Sequence, residues 1–359
     1  MSDKKSVLLE THNIKNRTTG FGTFNYELIK GFQQLSFDNL ELHINAGKLS
    51  PLKAEFGSKF KYHQYMGHHR YKTFRTLKKY DLWHSVNQNS KIEPRYNTTK
   101  YLLTIHDVNF IEEVSPDLNH PRNKMFIEKL NRASAITYIS EFAKQQTHES
   151  FKVPDVPEYI IYNGNPISTL LETESYIPTV PVDKPFFYTI GDFLERKNYA
   201  SIINMMKFIK DYNLIISGNN DKKYGEEIQA LIIKNKLENQ VYLTGKVSDQ
   251  GKQFYMKNCT AFLFPSIREG FGLPVIEAMS FGKPTFLSDK TSLPEIGGNV
   301  SHYWNNFDPE YMKDVLENGL NQHHENKNQN EKLITERAKI FDWKIAASEY
   351  LNVYKEILY

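Results

Sequence analysis

Two glutamates on either side of a glycine-containing loop form the pattern in this sequence that is best suited to bind a polar ligand. Glu269 and Glu277 lie in the stretch 265–277, which follows the apolar run Ala261–Phe264. The apolar run predicts a buried strand, and Pro274 is a favourable residue at the first position of a helix. We therefore expect Glu269 in a strand-to-helix loop and Glu277 in the first turn of the helix.

The backbone between these glutamates indicates what the ligand contains. Gly270 and Gly272 allow the chain to approach a bound molecule closely, and the N–H groups at the helix start favour an anion. Carboxylates beside such donors suit a ligand with both hydroxyl and phosphate groups, as in a nucleotide sugar. A purely structural interpretation is also open, because the helix dipole alone favours a glutamate in a first turn.

A pair of cations follows another predicted strand. Arg196 and Lys197 come shortly after the run Phe186–Ile190, directly before a helix that Asn198 is expected to cap. Two cations beside the N–H groups of a helix start suit a diphosphate, although two exposed loop charges would give the same pattern. This pair and the glutamate loop both follow strands of one predicted sheet, and both suit a phosphorylated ligand. Together they favour one shared site.

The first half of the sequence contains two further candidate positions. Gly20 and Gly22 precede an amphipathic helix, and their turn would bring backbone N–H groups near a phosphate or a sugar. Asn25 replaces the third glycine of a dinucleotide fingerprint, which disfavours a dinucleotide oxidoreductase. His106 and Asp107 follow a predicted strand, at the sheet edge where ligands of parallel sheets bind. Simple turn geometry is the alternative interpretation at both positions.

Strand-like runs alternate with helical patterns along both halves of the chain, which predicts parallel sheets with helices on both faces. The proline-rich, aperiodic residues 167–184 predict a linker. We therefore expect an α/β fold of two Rossmann-like, doubly wound domains, 1–170 and 171–341, with a helix of about 342–359 packing back on the first. The predicted strands are 7–9, 40–44, 81–84, 101–105, 135–139, 159–162, 186–190, 214–217, 241–244, 261–264 and 285–288, and the predicted helices include 122–132, 141–151, 198–209, 222–235, 248–257, 274–281 and 331–358.

The composition excludes several classes of protein. The single cysteine, Cys259, excludes an internal disulfide and a metal site made of several cysteines. The chain passes from Met1 almost directly into a strand-like run, so we expect no signal peptide. No apolar run approaches the ~20 residues that span a bilayer, and we expect a cytoplasmic protein.

Residues 57–80 form a basic, aromatic segment without an acidic residue, although the net charge of the whole chain is only +3. Such a segment suits the anionic inner face of a membrane or a phosphorylated acceptor. A solvated loop and helix are an equally open interpretation. Nucleic acid is not an expected partner, because the overall charge is small.

These residues together resemble the retaining GT-B glycosyltransferases of family 4. The most specific part of the resemblance is the stretch 268–279, followed by 282–284 and 292–297. Many members carry an arginine where this chain has Asp192, and Arg196 is similar to the arginine that substitutes for it in a bacterial mannosyltransferase-like subgroup. Shorter supporting segments extend along nearly the whole chain: 20–22, 106–107, 139–142, 163–164, 195–198 and 243–247.

The resemblance implies a role for each candidate residue. Glu277 would bind the donor ribose, and Glu269 would contact the transferred sugar. Arg196 and Lys197 would bind the diphosphate, and His106 would contact the sugar across a cleft between the two domains. The expected catalytic residues are thus Glu269, Lys197, Arg196 and His106, and the expected donor-binding residues are Gly20, Gly22, Gly270, Phe271, Gly272, Leu273, Glu277 and Val247.

The expected function is transfer of a hexosyl group from a nucleoside diphosphate sugar to a glycan or lipid-linked acceptor, with retention of configuration, in cell-surface polysaccharide or lipopolysaccharide synthesis. Mannose from GDP-mannose is favoured. The sequence has no Asp-x-Asp pair, so we expect neither a metal nor another cofactor. The alternatives are a UDP-sugar-dependent glucosyl- or N-acetylhexosaminyltransferase, a non-catalytic subunit that binds a sugar nucleotide, an epimerase, and a glycan phosphorylase with pyridoxal phosphate.

Overall fold

The computed structural model describes residues 4–17, 19–96, 99–167 and 169–359. The chain divides into two compact units, one of residues up to 166 together with 341–359, and the other of residues 167–340. Two predictions fall partly outside the described residues. The expected absence of a signal peptide involves residues 1–3, and the predicted linker includes Ser168. No helix among the described residues combines the length and apolar character that crossing a bilayer requires.

The first unit is built on a parallel sheet whose central strands are buried on both faces, as expected where helices cover both sides. Its strand order is 3-2-1-4-5-6-7, numbered along the chain. The strands are β1 (Lys5–Leu9), β2 (Leu40–Ala46), β3 (Lys61–Gln64), β4 (Leu82–Ser85), β5 (Lys100–Ile105), β6 (Ala135–Tyr138) and β7 (Glu158–Ile160). The helices between them are α1 (Gly20–Gln33), α2 (Ser50–Phe56), α3 (Phe110–Glu113), α4 (Pro121–Arg132) and α5 (Glu141–Ser150).

The second unit repeats this architecture with a six-stranded parallel sheet, whose strand order is 10-9-8-11-12-13. The strands are β8 (Phe186–Ile190), β9 (Asn213–Ser217), β10 (Val241–Gly245), β11 (Ala261–Phe264), β12 (Thr285–Ser288) and β13 (His302–Trp304). The helices are α6 (Tyr199–Met205), α7 (Lys223–Lys234), α8 (Asp249–Asn258), α9 (Leu273–Met279), α10 (Leu293–Gly297), α11 (Pro309–Glu325) and α12 (Lys327–Lys339). The prediction of two Rossmann-like α/β sheets is therefore confirmed.

The final helix, α13 (Trp343–Leu358), belongs to the first unit and packs against α1. The contact is close because Gly31 of α1 has no side chain. A Cβ at Gly31 would lie only 2.3 Å from the carbonyl oxygen of Trp343. The aromatic residues Tyr350 and Tyr354 of α13 are completely buried and complete the core on this face of the sheet.

Several element boundaries differ from the predictions. Strands β3 and β13 were not predicted, because β3 is short and polar at the sheet edge and β13 has only three residues. The residues 331–358, predicted to be helical, form parts of two helices: α12 ends at Lys339, and α13 begins at Trp343, close to the predicted helix of about 342–359. The break occurs because Phe341 is buried and the Asp342 carboxylate accepts hydrogen bonds from the first N–H groups of α13.

Candidate active site

The loop that follows β8 carries the two predicted cations. Arg196 and Lys197 lie in a 3₁₀ turn, Glu195–Lys197, which ends at Asn198 in the left-handed conformation with φ of 51°. The prediction that Asn198 caps α6 is wrong for its side chain, whose amide donates to the carbonyl oxygen of Pro265 at 3.3 Å. Asn198 therefore connects this loop to the loop after β11, where Glu269 lies.

Backbone contacts hold these two loops side by side. The N–H of Ile267 donates to the carbonyl oxygen of Arg196 at 2.8 Å, and the hydroxyl of Ser266 lies 3.0 Å from the same oxygen. The strands β8 and β11 are neighbours in the sheet, so their carboxyl ends meet at one edge. This neighbouring position brings Glu269 to the cations although 72 positions separate it from Lys197.

Glu269 accepts from both cations and from a hydroxyl. Its Oε1 lies 2.5 Å from Nζ of Lys197, 3.3 Å from Nη1 of Arg196 and 2.6 Å from Oγ of Ser266. Arg196 also donates to the carbonyl oxygen of Arg268 at 2.9 Å. One carboxylate against two cations leaves this group with a net charge of +1, which favours an anionic ligand.

Burial and charge act in opposite directions on this group. Burial would raise the pKa of the Glu269 carboxyl, but Lys197, Arg196 and Ser266 together hold that pKa below its usual value. Burial, aided by the neighbouring Arg196, lowers the pKa of the Lys197 ammonium in spite of its contact with Glu269. Glu269 is therefore an ionised acceptor, which suits a group that binds hydroxyls.

A glycine makes room for Lys197. A Cβ at Gly191, directly after β8, would lie 3.2 Å from Cε and 3.4 Å from Nζ of Lys197. Gly191 in turn meets Gly218, after β9, where a Cβ would lie 1.9 Å from the Gly191 carbonyl oxygen. The backbone after the two adjacent strands is thus closely packed, with the Tyr199 hydroxyl and the Lys197 stem beside Gly191.

Glu277 lies in α9, but the prediction that it occupies the first turn is wrong. The helix begins at Leu273, so Pro274 is its second residue and Glu277 its fifth. The Glu277 carboxylate is buried and pairs with Nζ of Lys252, from α8, at 2.7 Å. Burial raises the pKa of the Glu277 carboxyl, although the positive charge of Lys252 opposes this change. Burial would lower the pKa of the Lys252 ammonium, but the carboxylates of Glu277 and Asp249 raise it above its usual value.

The remaining residues predicted for the donor site surround α9. Gly272 precedes the helix with φ of 112°, and a Cβ there would lie 2.9 Å from Cδ2 of Leu293, so both conformation and space require glycine. Phe271 is buried, and its carbonyl oxygen accepts from the hydroxyl of Ser292 at 2.9 Å. Gly270 and Leu273 flank these residues, and Val247 lies half-buried in the loop between β10 and α8.

The predicted site residues of the first unit lie at the carboxyl edge of its own sheet. His106 follows β5 and is 6% exposed, with Nε2 donating to the carbonyl oxygen of Val86 at 2.9 Å. Burial lowers the pKa of His106 to about 4, so the imidazole is neutral near pH 7. Its ring packs edge-on against Phe21 and Phe24 of α1.

The two glycines at the start of α1 differ in their surroundings. The N–H of Gly22 donates to the hydroxyl of Thr19, the residue before the helix, at 3.3 Å. A Cβ at Gly22 would lie 1.8 Å from the carbonyl oxygen of Asn16, so local packing explains this glycine. Gly20 has open space around it and is the better placed of the two to approach a ligand.

Sequence reasoning missed the polar residues that hold the two glutamates. Lys252 lies on a different helix from Glu277, and no local spacing connects the two residues. Ser266 precedes Glu269 by three positions in a short loop, a spacing that could have indicated a hydroxyl donor. Thr291 donates nothing to the carboxylate but accepts from the N–H of Glu269 at 3.1 Å. No three histidine, cysteine or acidic side chains converge on a metal position in the part of the chain that the structure describes.

A known family model matches the second unit of the chain. Residues 172–339 match the family model described as glycosyl transferases group 1. The chain is 26% identical over 223 residues to O-antigen chain mannosyltransferase B of Escherichia coli, covering 55% of each chain. It is also 26% identical over 227 residues to O-antigen chain mannosyltransferase RfbU of Salmonella typhimurium, covering 60% of each. These alignments therefore span little more than half the length of the relatives.

Comparison of structures extends the similarity over the whole chain. A glycosyltransferase from Rickettsia africae superposes with a TM-score of 0.75 at 15% identity, covering 100% of this chain and 99% of the other. HepE from Anabaena, solved in complex with UDP and glucose, superposes with a TM-score of 0.70 at 14% identity, covering 98% and 100%. At these identities the likeness shows the fold. The resemblance seen in the sequence is thus confirmed: residues 172–339 form a glycosyl transferases group 1 domain, and the chain has the fold of the GT-B glycosyltransferases.

Proposed function

We propose that this chain transfers a hexosyl group from a nucleoside diphosphate sugar to a hydroxyl group of a glycan or lipid-linked acceptor. The observation that carries the proposal is the group formed by Glu269, Lys197 and Arg196. It combines an ionised carboxylate that accepts from hydroxyls with an excess of one positive charge for a diphosphate. A ligand with both kinds of group is a nucleotide sugar.

The same geometry supports a mechanism. When the bond between the sugar and the diphosphate breaks, negative charge grows on the departing diphosphate, and Lys197 and Arg196 stabilise it. The acceptor hydroxyl then forms the new bond to the anomeric carbon and gives its proton to an oxygen of the diphosphate. Because the cations supply the charge, the proposal needs no metal. Retention of configuration follows if attack and departure occur on the same face.

The other contacts are assigned to the rest of the donor. Glu277 binds the ribose, since its carboxylate is buried and held by Lys252 rather than placed to move a proton. The backbone from Gly270 to Leu273, together with Val247, is assigned to the sugar and phosphate. Mannose from GDP-mannose is favoured because two relatives are named O-antigen chain mannosyltransferases. The product would then be a cell-surface polysaccharide or lipopolysaccharide.

The proposal places the reaction in the cytoplasm, at the inner face of the membrane. Segment 57–80 supports contact with anionic lipid, because four of its large apolar side chains are well exposed beside its cations: Met66, Tyr71, Phe74 and Leu77. Two short turns of this segment, Gly67–Arg70 and Lys72–Phe74, contain no acidic residue. Apolar side chains would enter the headgroup region while the cations pair with lipid phosphates.

Thermal unfolding with a panel of GDP- and UDP-sugars tests the donor assignment. A ligand at about 100 times its Kd adds about 2.7 kcal/mol to the free energy of unfolding, so the true donor should raise Tm clearly. GDP-mannose is expected to give the largest shift, and a larger shift with a UDP-sugar would move the assignment to that donor. Release of nucleotide on addition of acceptor distinguishes an enzyme from a subunit that only binds. No shift with any nucleotide sugar would overturn the proposal.

A further inference from the structure

A buried glutamate at the end of β1 has a carboxylate that the fold satisfies only in part. Glu10 directly follows β1, and its side chain has no exposed surface. Its Oε1 lies 2.7 Å from Nδ1 and 3.2 Å from the backbone N of His12. Its Oε2 has no hydrogen-bond partner among the residues that the structure describes. Most buried carboxylate oxygens of folded proteins are hydrogen-bonded, so the unpaired Oε2 calls for an explanation.

The contact with Glu10 sets the tautomer of the neutral His12 ring. Because a carboxylate only accepts, Nδ1 of His12 carries the proton and donates it to Glu10. In the neutral imidazole Nε2 then has a free lone pair, and Nε2 makes no hydrogen bond with any described residue. The His12 side chain is 19% exposed and its ring lies 5.2 Å from that of Tyr65, which is also partly exposed. The ring therefore offers a fixed acceptor beside an aromatic side chain.

The position of this pair indicates a ligand. Glu10 and His12 lie at the carboxyl edge of the parallel sheet, where ligands of such folds bind, and His106 lies at the same edge beyond β5. Thr11, between Glu10 and His12, is fixed by a 3.0 Å hydrogen bond from its hydroxyl to the carbonyl oxygen of Asn45 in β2. Because Nε2 of His12 is an acceptor in this tautomer, the pair suits a ligand that donates hydroxyl hydrogens.

We propose that His12, oriented by Glu10, binds a hydroxyl group of the sugar acceptor, with the Tyr65 ring as one wall of the subsite. The assignment rests on the proposed function, which requires a hydroxyl-bearing acceptor. It adds the residue of the first unit that receives that hydroxyl. Glu10 acts as a positioning residue, because it determines which nitrogen of the His12 ring faces the ligand.

The test measures donor and acceptor kinetics separately. The probes are GDP-mannose, or the nucleotide sugar that gives the largest Tm shift, and octyl glycosides of mannose, glucose, galactose and N-acetylglucosamine. His12→Phe keeps a ring beside Tyr65 but removes Nε2. We expect kcat/KM for the octyl glycoside to fall about 10- to 100-fold, the range for a hydrogen bond to a charged or strongly polarised group. The KM for the donor and the slow transfer to water without acceptor should stay within about threefold of the wild type.

Two further variants separate positioning from folding. His12→Gln keeps a hydrogen-bonding side chain and should restore part of the acceptor kcat/KM. Glu10→Gln should also affect only the acceptor, because the ring loses its fixed orientation. The matched control is His148→Phe, since His148 also pairs with a glutamate, Glu158, at 2.8 Å, but on α5 and at the start of β7. That control should leave every constant unchanged.

The outcomes distinguish a wrong acceptor subsite from a wrong proposed function. If the wild type turns over and neither His12→Phe nor Glu10→Gln changes its kinetics, the acceptor subsite is overturned. The proposed function then stands. A loss that appears in the donor KM or in transfer to water would also overturn it, because the pair would then serve the donor. Absence of turnover in the wild type with all donors and glycosides would overturn the proposed function and this assignment with it. The donor-induced Tm shift shows that each variant is folded.

Discussion

At the scale of single residues, the contact between Lys197 and Glu269 is the centre of the candidate site. A lysine buried this deeply would lose its charge without a partner, and Glu269 supplies one at 2.5 Å. Arg196 adds a second cation that is more exposed than Lys197. The candidate site therefore has one buried and one partly exposed cation.

Replacement of Lys197 tests the role of the buried cation. Lys197→Ala removes one preorganised charge from the departing diphosphate, and we expect turnover to fall about 10²- to 10³-fold. Steady-state release of nucleotide with saturating donor and acceptor measures the change. Lys223→Ala, which removes a highly exposed lysine of the same unit, is the matched control and should have normal turnover. Near-wild-type turnover of Lys197→Ala would count against the assignment of Lys197 to the diphosphate.

At the scale of elements, the site depends on loops that leave neighbouring strands. The loops after β8 and β11 are joined through the backbone of Arg196 and Ile267, and the start of α9 is fixed by Gly272 against Leu293. In the first unit, one long connection exposes side chains to solvent. The chain between β3 and β4 has little regular structure, and it exposes the apolar and basic side chains of segment 57–80.

Segment 57–80 gives a prediction that vesicles can test. The protein should co-sediment with vesicles of phosphatidylcholine and phosphatidylglycerol, and only weakly with phosphatidylcholine alone. Each cation near an anionic surface contributes about 1 kcal/mol, so Arg70→Glu with Lys72→Glu should weaken binding at least about tenfold. The control reverses two exposed lysines of the second unit, Lys223 and Lys332. Equal binding to both kinds of vesicle, or an equal loss in the control, would contradict a role for the segment.

At the scale of the whole molecule, buried histidines connect stability to pH. Burial lowers the pKa of His43 to about 3, of His84 to about 3 and of His106 to about 4, and all three lie in the first unit. The rings hold their places in the core while neutral; His84, for example, lies 2.7 Å from both the Tyr354 and the Thr104 hydroxyls. In the unfolded chain each ring has a pKa near 6.5.

These lowered pKa values predict loss of stability in weak acid. Between pH 6.5 and 4 the unfolded chain binds a proton at each of these histidines and the folded chain does not, so the free energy of unfolding falls as pH falls. Each histidine contributes up to about 1.4 kcal/mol per pH unit in this window. Denaturant unfolding at pH 7, 6 and 5 measures the slope. His84→Gln should reduce it, whereas His68→Gln, at an exposed position, should leave it unchanged; an equal slope in both variants would contradict the explanation.

The sequence by itself determined the alternation of strands and helices, because apolar runs of strand length and amphipathic helical spacing are local properties of the chain. It also placed Glu269, Arg196 and Lys197 at strand ends, since parallel sheets leave their polar loops at the carboxyl edge. The sequence also showed glycines in the loop before α9, but only the structure revealed that Gly272 has a left-handed conformation, which favours glycine.

The tertiary structure alone decided which side chains meet. The pair of Lys252 with Glu277, the contact of Asn198 with Pro265 and the pair of Glu10 with His12 depend on the order of strands and on how a helix or turn packs. The break between α12 and α13 was also a tertiary result, because burial of Phe341 outweighed a helical pattern that ran through it. Local spacing predicts which element a residue joins, but burial and partner atoms come from segments distant in sequence, and these determine its charge and its role.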